Sequence, residues 1–417
     1  MLARLAAEGV HAGDRMAVIA GNGPAFVAAR DAATAAELTL VPINPRLAPA
    51  EIDWIVAHAK PRVILREELI EAQPATIDHE AIGATLLYTS GTTGRPKGCV
   101  RSAAQERARA TELRGSYAIS RADTHLIVCP LAHSAPGIFL RACRAAGART
   151  AIAARFDPHA FVDDVVRHRA TIVFLVPTQV YRLLALPRPA LPSLRAVIVA
   201  GAPFPPAQKQ AFEAWLGPDR LYEFYGSSET GTISVIGPRD HAAHPGSVGR
   251  APPGVDVRVI DGEIFARSPA VMSGYLRDDD TLEPRAEDGF LSVGDLGSID
   301  DGGWITLVDR KHDTIITGGR NVYPAEVERA IATLGLSAVV FGVADDEWGQ
   351  IVAAVIGGPP RDLRDALRDQ LAGYKLPRAI AWCAPDELPI GSSGKALRRA
   401  ARAAFANRLT PVDARRR

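Results

Sequence analysis

The run Thr89, Ser90, Gly91, Thr92, Thr93, Gly94, Arg95, Pro96, Lys97, Gly98 carries residue types suited to holding a phosphate. Leu86, Leu87 and Tyr88 just before it read as a strand end that delivers the loop. Backbone N–H groups freed by the glycines, together with the hydroxyls, can wrap phosphate oxygens, and Lys97 adds a mobile positive charge. The run is not a Walker loop. That motif needs G-x-x-x-x-G-K followed by Ser or Thr, whereas Pro96 stands five positions after Gly91. Ser, Thr, Gly and Pro are also ordinary turn formers, but the order S-G-T-T-G-x-P-K-G is far narrower than turn composition.

That order resembles the phosphate-binding loop of the adenylate-forming superfamily, which includes acyl- and aryl-CoA synthetases, adenylation domains of nonribosomal peptide synthetases, and luciferases. Further segments match that family in sequence order, so the resemblance covers nearly the whole chain. Residues 221–231, LYEFYGSSETG, resemble its adenine- and magnesium-binding segment. Glu223 and Phe224 lead in, Tyr225 can stack on a purine face, and Gly226 lets the backbone come close. Ser227 and Ser228 offer hydroxyls, and Glu229 is a hard oxygen ligand suited to Mg²⁺ on a triphosphate. The resemblance makes Thr89 the second magnesium-side residue. Gly201, Ala202 and Pro203 resemble the loop on the adenine's other side, although the tripeptide is weak alone.

Asp295, between Gly294 and Leu296, resembles the aspartate that accepts both ribose hydroxyls, one on each oxygen. Arg310 resembles the arginine that also reaches the ribose. His312 falls on the hinge, where the family usually has Asp or Lys; its partial charge near neutral pH sets it apart. Gly318 and Gly319 match the face turned toward coenzyme A. Lys395, in Ser392-Ser393-Gly394-Lys395, matches the adenylation lysine. A carboxylate and a triphosphate repel as they approach, and a flexible ammonium can bridge them. His133 matches a histidine near the carboxylate pocket, with a core histidine bonded to backbone as the competing reading. Arg141, Arg144 and Arg182 lie within reach of that region. One could bind a second substrate carboxylate, but a solvated helix face is the favoured reading.

The elements that must position these groups alternate between short apolar runs and helical patterns. Strands are expected at 16–20, 38–42, 62–65, 171–176, 196–200 and 221–225, and helices at 24–36 and 49–58. Such alternation argues for parallel sheets covered by helices. Residues 246–269 read as short antiparallel strands, and 300–303 as a hairpin turn. At 417 residues the chain exceeds one hydrophobic core. The expected fold is therefore α/β and multidomain. A large N-terminal domain, 1–309, combines parallel α/β sheets with a small β subdomain, and a small mobile α+β C-terminal domain spans 310–417. Few residues separate Leu65 from Tyr88, which makes the large domain a trimmed version of the family pattern.

A net charge of +1 leaves no global field to recruit nucleic acid or an anionic membrane. No apolar run approaches a membrane span of about 18–20 residues. Cys99, Cys129, Cys143 and Cys383 show neither C-x-x-C nor metal-ligand spacing, so a reduced, cytoplasmic setting is expected. Only six of the 48 basic residues are lysines, among them Lys97, Lys311 and Lys395. The expected function is an ATP-dependent acid–CoA ligase that uses ATP, Mg²⁺, coenzyme A and a small carboxylic acid. A homodimer is left open. Two alternatives stand beside it: an adenylation enzyme loading a carrier-protein thiol, and a non-catalytic acyl- or nucleotide-binding homologue.

Overall fold

The computed structural model describes residues 5, 9–70, 81–89, 96–283, 288–391 and 396–412. The expectations for Ser90, Gly91, Thr92, Thr93, Gly94 and Lys395 lie outside the described residues.

Short apolar strands build the first sheet: β1 (Arg15–Ile19), β2 (Thr39–Ile43), β3 (Val63–Arg66), β4 (Thr85–Thr89) and β5 (Lys97–Arg101). Helices α1 (Pro24–Ala35) and α2 (Pro49–Ala59) fill the first two connections. Their opening prolines suit a first turn that has no partner for the missing N–H. β1 pairs in parallel with β2 and β3, and β2 with β4, while β4 and β5 form an antiparallel hairpin.

The second sheet holds β6 (Thr124–Ile127), β7 (Arg149–Ile152), β8 (Ile172–Leu175), β9 (Ala196–Val199), β10 (Leu221–Ser227) and β11 (Gly231–Ile236). Its order is β11-β10-β9-β8-β6-β7, parallel except for the β10–β11 hairpin. The connections carry α3 (Ala103–Ser116), α4 (Ser134–Ala145), α5 (Pro158–His168), α6 (Pro177–Leu184) and α7 (Pro206–Leu216). β8 and β9 read Ile-Val-Phe-Leu and Ala-Val-Ile-Val and are buried along their whole length, as strands covered on both faces must be. Phe139 of α4 stacks on Phe174 of β8 at 5.4 Å, and Phe224 of β10 packs against both.

β12 (Asp256–Ile260) and β13 (Glu263–Arg267) form an antiparallel pair. The chain then sends β14 (Gly274–Leu276) back to the first sheet, antiparallel to β5. β15 (Asp295–Ile299) and β16 (Ile305–Arg310) complete the small third sheet. Asp300 Oδ1 accepts from the Gly302 and Trp304 N–H groups, both at 2.9 Å, and closes the expected turn between them. Both large sheets are thus parallel at their centres but antiparallel at one edge. Neither β5 nor β14 was marked by the sequence pattern: one begins on a lysine and contains a glycine, the other has three residues.

Beyond Arg310 come the hairpin β17 (Ile315–Thr317) and β18 (Arg320–Val322), then α8 (Pro324–Thr333), β19 (Ser337–Asp345), β20 (Gly349–Gly357), α9 (Arg364–Arg368), β21 (Ala379–Cys383), α10 (Arg398–Phe405) and β22 (Thr410–Pro411). Side chains alternate across the β19–β20 pair. Val340, Val352, Ala354 and Ile356 meet Val327 and Ile331 of α8, whereas Val339, Phe341, Ala353 and Val355 meet Ala401 and Phe405 of α10. No described helix is long and apolar enough to cross a membrane.

Candidate active site

The β4–β5 hairpin sets the two ends of the glycine–threonine loop side by side, with Thr89 paired to Lys97. Across the sheet, Tyr275 of β14 lies opposite Cys99, and the Lys97 ammonium sits 5.0 Å from the centre of the Tyr275 ring. The second sheet brings Glu229 to the same place, in the turn between β10 and β11. Ser227 Oγ accepts the N–H groups of Glu229 (3.1 Å) and Thr230 (3.0 Å), a local alternative to ladder bonding that fixes the turn. Gly226 is demanded by the hairpin itself, since a Cβ there would lie 2.1 Å from the Gly231 carbonyl oxygen.

The Glu229 carboxylate is almost wholly covered. Its Oε1 accepts from the Thr89 hydroxyl at 3.2 Å and from the Tyr275 hydroxyl at 2.8 Å. Burial and the adjacent carboxylate push the Tyr275 phenol up, which keeps it a donor. Residues 140 positions apart in sequence therefore meet, as the motif reading requires. Tyr275 had no signal of its own. Among the described residues no group of three or more His, Cys, Asp or Glu side chains could hold a metal. One carboxylate beside one hydroxyl nevertheless suits Mg²⁺, which keeps several waters and takes its remaining ligands from phosphates.

Four residues before Glu229, Tyr225 donates its hydroxyl to Asp295 Oδ2 at 2.8 Å. Asp295 pairs in register with Arg310 across β15 and β16, and the Arg310 guanidinium reaches Asp295 Oδ1 at 3.1 Å. Burial and the carboxylate push the Tyr225 phenol up as well, so it stays protonated. Each Asp295 oxygen has a second lone-pair direction with which to accept a hydroxyl. Glu223 and Phe224 are placed differently from their neighbours. The Glu223 side chain is buried in an ion pair with Lys209 of α7, and Phe224 packs into the core. Alternation along β10 turns Phe224 to the face opposite Tyr225 and leaves Glu223 on the same face, two positions earlier, held by Lys209.

Gly201, Ala202 and Pro203 follow β9, next to the end of β10, with Gly201 in the left-handed region at φ +94°. His133 opens α4 beyond the end of β6. Both loops lie at the carboxyl end of the same parallel sheet, after β9 and β6 with β8 between them, the end at which open α/β sheets bind ligands. The His133 Nε2 is buried with no hydrogen-bond partner among the described residues. Burial lowers its pKa, so the ring is neutral at pH 7. The favoured solvent-facing reading holds for exposed Arg182 and fails for two other arginines. Arg141 is buried against Glu106 at 3.1 Å, and Arg144 pairs with Asp31 at 3.0 Å. Arg141 sits in the core and Arg144 is half-buried, and each charge is met by an acidic partner from another helix.

Lys311, His312 and Asp313 form one 3-10 turn. Just before it, Asp309 Oδ2 accepts the N–H of Ala325 in the first turn of α8 at 2.6 Å. Arg398, at the start of α10, grips Asp313 at 3.0 Å and Glu328 of α8 at 2.9 Å. Gly318 and Gly319 make the two-residue turn of the β17–β18 hairpin, with φ of 54° and 73°, a conformation that glycine adopts without strain. The ends of the segment that contains Lys395 are held together by a bridge between Ile390 and Ala396.

The AMP-binding enzyme family model matches residues 2–83 and 71–276, and the model for the AMP-binding enzyme C-terminal domain matches 326–395. A feruloyl-CoA synthase from an Amycolatopsis species is 31% identical, covering 96% of this chain and 91% of that protein. A 2-succinylbenzoate–CoA ligase of Bacillus licheniformis is 29% identical, covering 95% and 90%. Among solved structures, the Bacillus subtilis o-succinylbenzoate CoA synthetase in complex with its acyl-adenylate intermediate superposes with a TM-score of 0.85. Its identity is 27%, covering 95% of this chain and 90% of that one.

Proposed function

The chain belongs to the AMP-binding enzyme family, and from that premise we propose an ATP-dependent acid–CoA ligase that works through an acyl-adenylate. The observation that carries the reading is the meeting of Thr89, Tyr275 and Glu229 four residues from the Tyr225–Asp295–Arg310 cluster. The first group is built for phosphate and its counter-ion, the second for a ribose.

In the first half-reaction the acid's carboxylate attacks the α-phosphate of ATP, forming acyl-AMP and releasing pyrophosphate. Thr89 and Glu229 would hold the Mg²⁺ that accompanies the triphosphate, whose charge offsets phosphate repulsion. Lys97 and the glycine–threonine loop 89–98 would cradle the phosphates, and Asp295 with Arg310 would fix the ribose. Tyr225 to Ser228 and Gly201 to Pro203 would flank the adenine, with His133 beside the carboxylate. Lys395 is assigned to bridge the two anions. In the second half-reaction the residues from 310 onward turn about His312, withdraw Lys395 and present Gly318 and Gly319. The thiol of coenzyme A attacks the mixed anhydride, its proton is lost to solvent, and AMP leaves.

A division into domains 1–309 and 310–417 is part of this reading. So is a cytoplasmic setting, supported by four buried thiols, with Cys99 pushed up to about 12 by burial. A homodimer is supported by exposed Val166 and Tyr181 on α5 and α6 and is checked by light scattering. Relatives named for feruloyl and 2-succinylbenzoate chemistry put aromatic acids first in a panel assayed for pyrophosphate release. Thioester formation with coenzyme A alone separates the ligase from a carrier-loading enzyme. Lys395→Ala should cut adenylation by roughly 10²–10³-fold, the usual loss for one transition-state charge donor. It should spare thioester formation from supplied acyl-AMP. Equal loss in both half-reactions counts against the assignment.

A further inference from the structure

Alternation along β5 puts Lys97, Cys99 and Arg101 on one face, and all three lie against the surroundings of Glu229. Arg101 is fully buried. Its Nε and Nη2 donate to the Ser228 carbonyl at 2.8 and 2.5 Å, and its Nη1 donates to the Ala270 carbonyl. The Cys99 thiol lies 3.2 Å from the same Ser228 carbonyl. Ser228 immediately precedes Glu229. Ala270 opens the stretch in which the Met272 N–H donates to the Glu229 carbonyl at 2.8 Å and Tyr275 donates to its carboxylate. One guanidinium therefore fastens two separate loops whose side chains meet at a single carboxylate.

Placing a cation there is costly. Burial lowers the Arg101 pKa to about 10, with Arg109 working in the same direction, yet the group stays charged at neutral pH. A well-packed apolar side chain is often as stable or more stable at such a position. The rigid fork of donors gives what an apolar residue cannot, a fixed spacing between two carbonyls.

We propose that Arg101 is a positioning residue for magnesium binding, holding residues 228–229 and 270–275 together so that Glu229, Thr89 and Tyr275 keep their mutual geometry. This rests on the reading of Glu229 as a magnesium ligand. The test is Mn²⁺ binding to the protein, read by loss of the free-ion paramagnetic resonance signal, together with pyrophosphate release against free Mg²⁺ concentration at saturating ATP and acid, for wild type, Arg101→Lys, Arg101→Met and Glu229→Gln, with melting temperatures alongside. Arg101→Met should raise the half-saturating concentration of either ion by roughly 10-fold, as expected for losing one or two charge-assisted hydrogen bonds. Arg101→Lys should shift it less, and excess Mg²⁺ should restore most of kcat in both. If Arg101→Met does not fold, Arg101→Lys decides. A shifted curve in Glu229→Gln with unshifted curves in folded Arg101 variants overturns the proposal alone. An unshifted curve in Glu229→Gln overturns the ligand reading and the proposal with it.

Discussion

Asp295 shows what one carboxylate can be asked to do. Tyr225 and Arg310 each occupy one direction on its oxygens, leaving the others for a sugar's hydroxyls. The wild-type protein should therefore prefer ATP to 2′-deoxy-ATP, and Asp295→Ala should raise KM for ATP by roughly 10–100-fold, the span of a hydrogen bond to a charged group. The variant should also treat the two nucleotides alike; undiminished discrimination would remove Asp295 from the ribose. Tyr275→Phe keeps the ring beneath Lys97 and deletes only the donor to Glu229. It should lower kcat/KM for ATP by about 10-fold, with little change in KM for the acid. Thr89, Glu229, Asp295 and Arg310 were legible because each lies inside a short stretch of unusual wording. Tyr275 and Arg101 were not, because their significance comes only from partners more than 40 positions away.

Elements were readable where a continuous apolar run or a helix-opening proline marks them. β8, β9 and β10 follow from runs such as Ala-Val-Ile-Val, whereas β6, β7 and β11 of the same sheet were not picked out, and Pro24, Pro49 and Pro324 announce their helices. β14 was hidden because three residues carry no periodicity, and Arg141 and Arg144 were misjudged because a helix pattern does not reveal an acid on a neighbouring helix. The same kind of pairing braces the approach to β6. Burial pushes the Asp123 carboxyl up, but the Arg195 guanidinium, the Ser120 N–H and the Thr171 hydroxyl bring it down to about 2. Because the folded value lies below the unfolded one, of about 3.9, this group's stabilisation is complete above that pH. It is lost as pH falls toward about 2. Asp123→Asn should flatten acid unfolding across that interval, followed by circular dichroism. At the other end of the chain, Tyr323 gives α8 no side-chain cap, and Asp309 supplies one from before the 3-10 turn. Asp309→Ala should cost about 1 kcal/mol of stability, read as a lower melting temperature. If residues beyond 310 rotate about His312, this cap must break, so the ratio of the two half-reaction rates should change as well.

The order of the molecule's parts was legible from wording near both termini, whereas the way its sheets borrow strands from one another was not. β5 is bordered by β4 on one side and, on the other, by Gly274–Leu276, pairing Val100 with Gly274. During synthesis the loop-bearing hairpin must wait, with one row of N–H and C=O groups unmatched, until a ribosome has added more than 170 further residues. An open strand margin of that kind invites pairing with other nascent chains, and contacts so distant along the chain slow folding. Fragments stopping short of Gly274 should therefore aggregate when expressed, and light scattering would show whether supplying the missing tripeptide in a slightly longer fragment cures it.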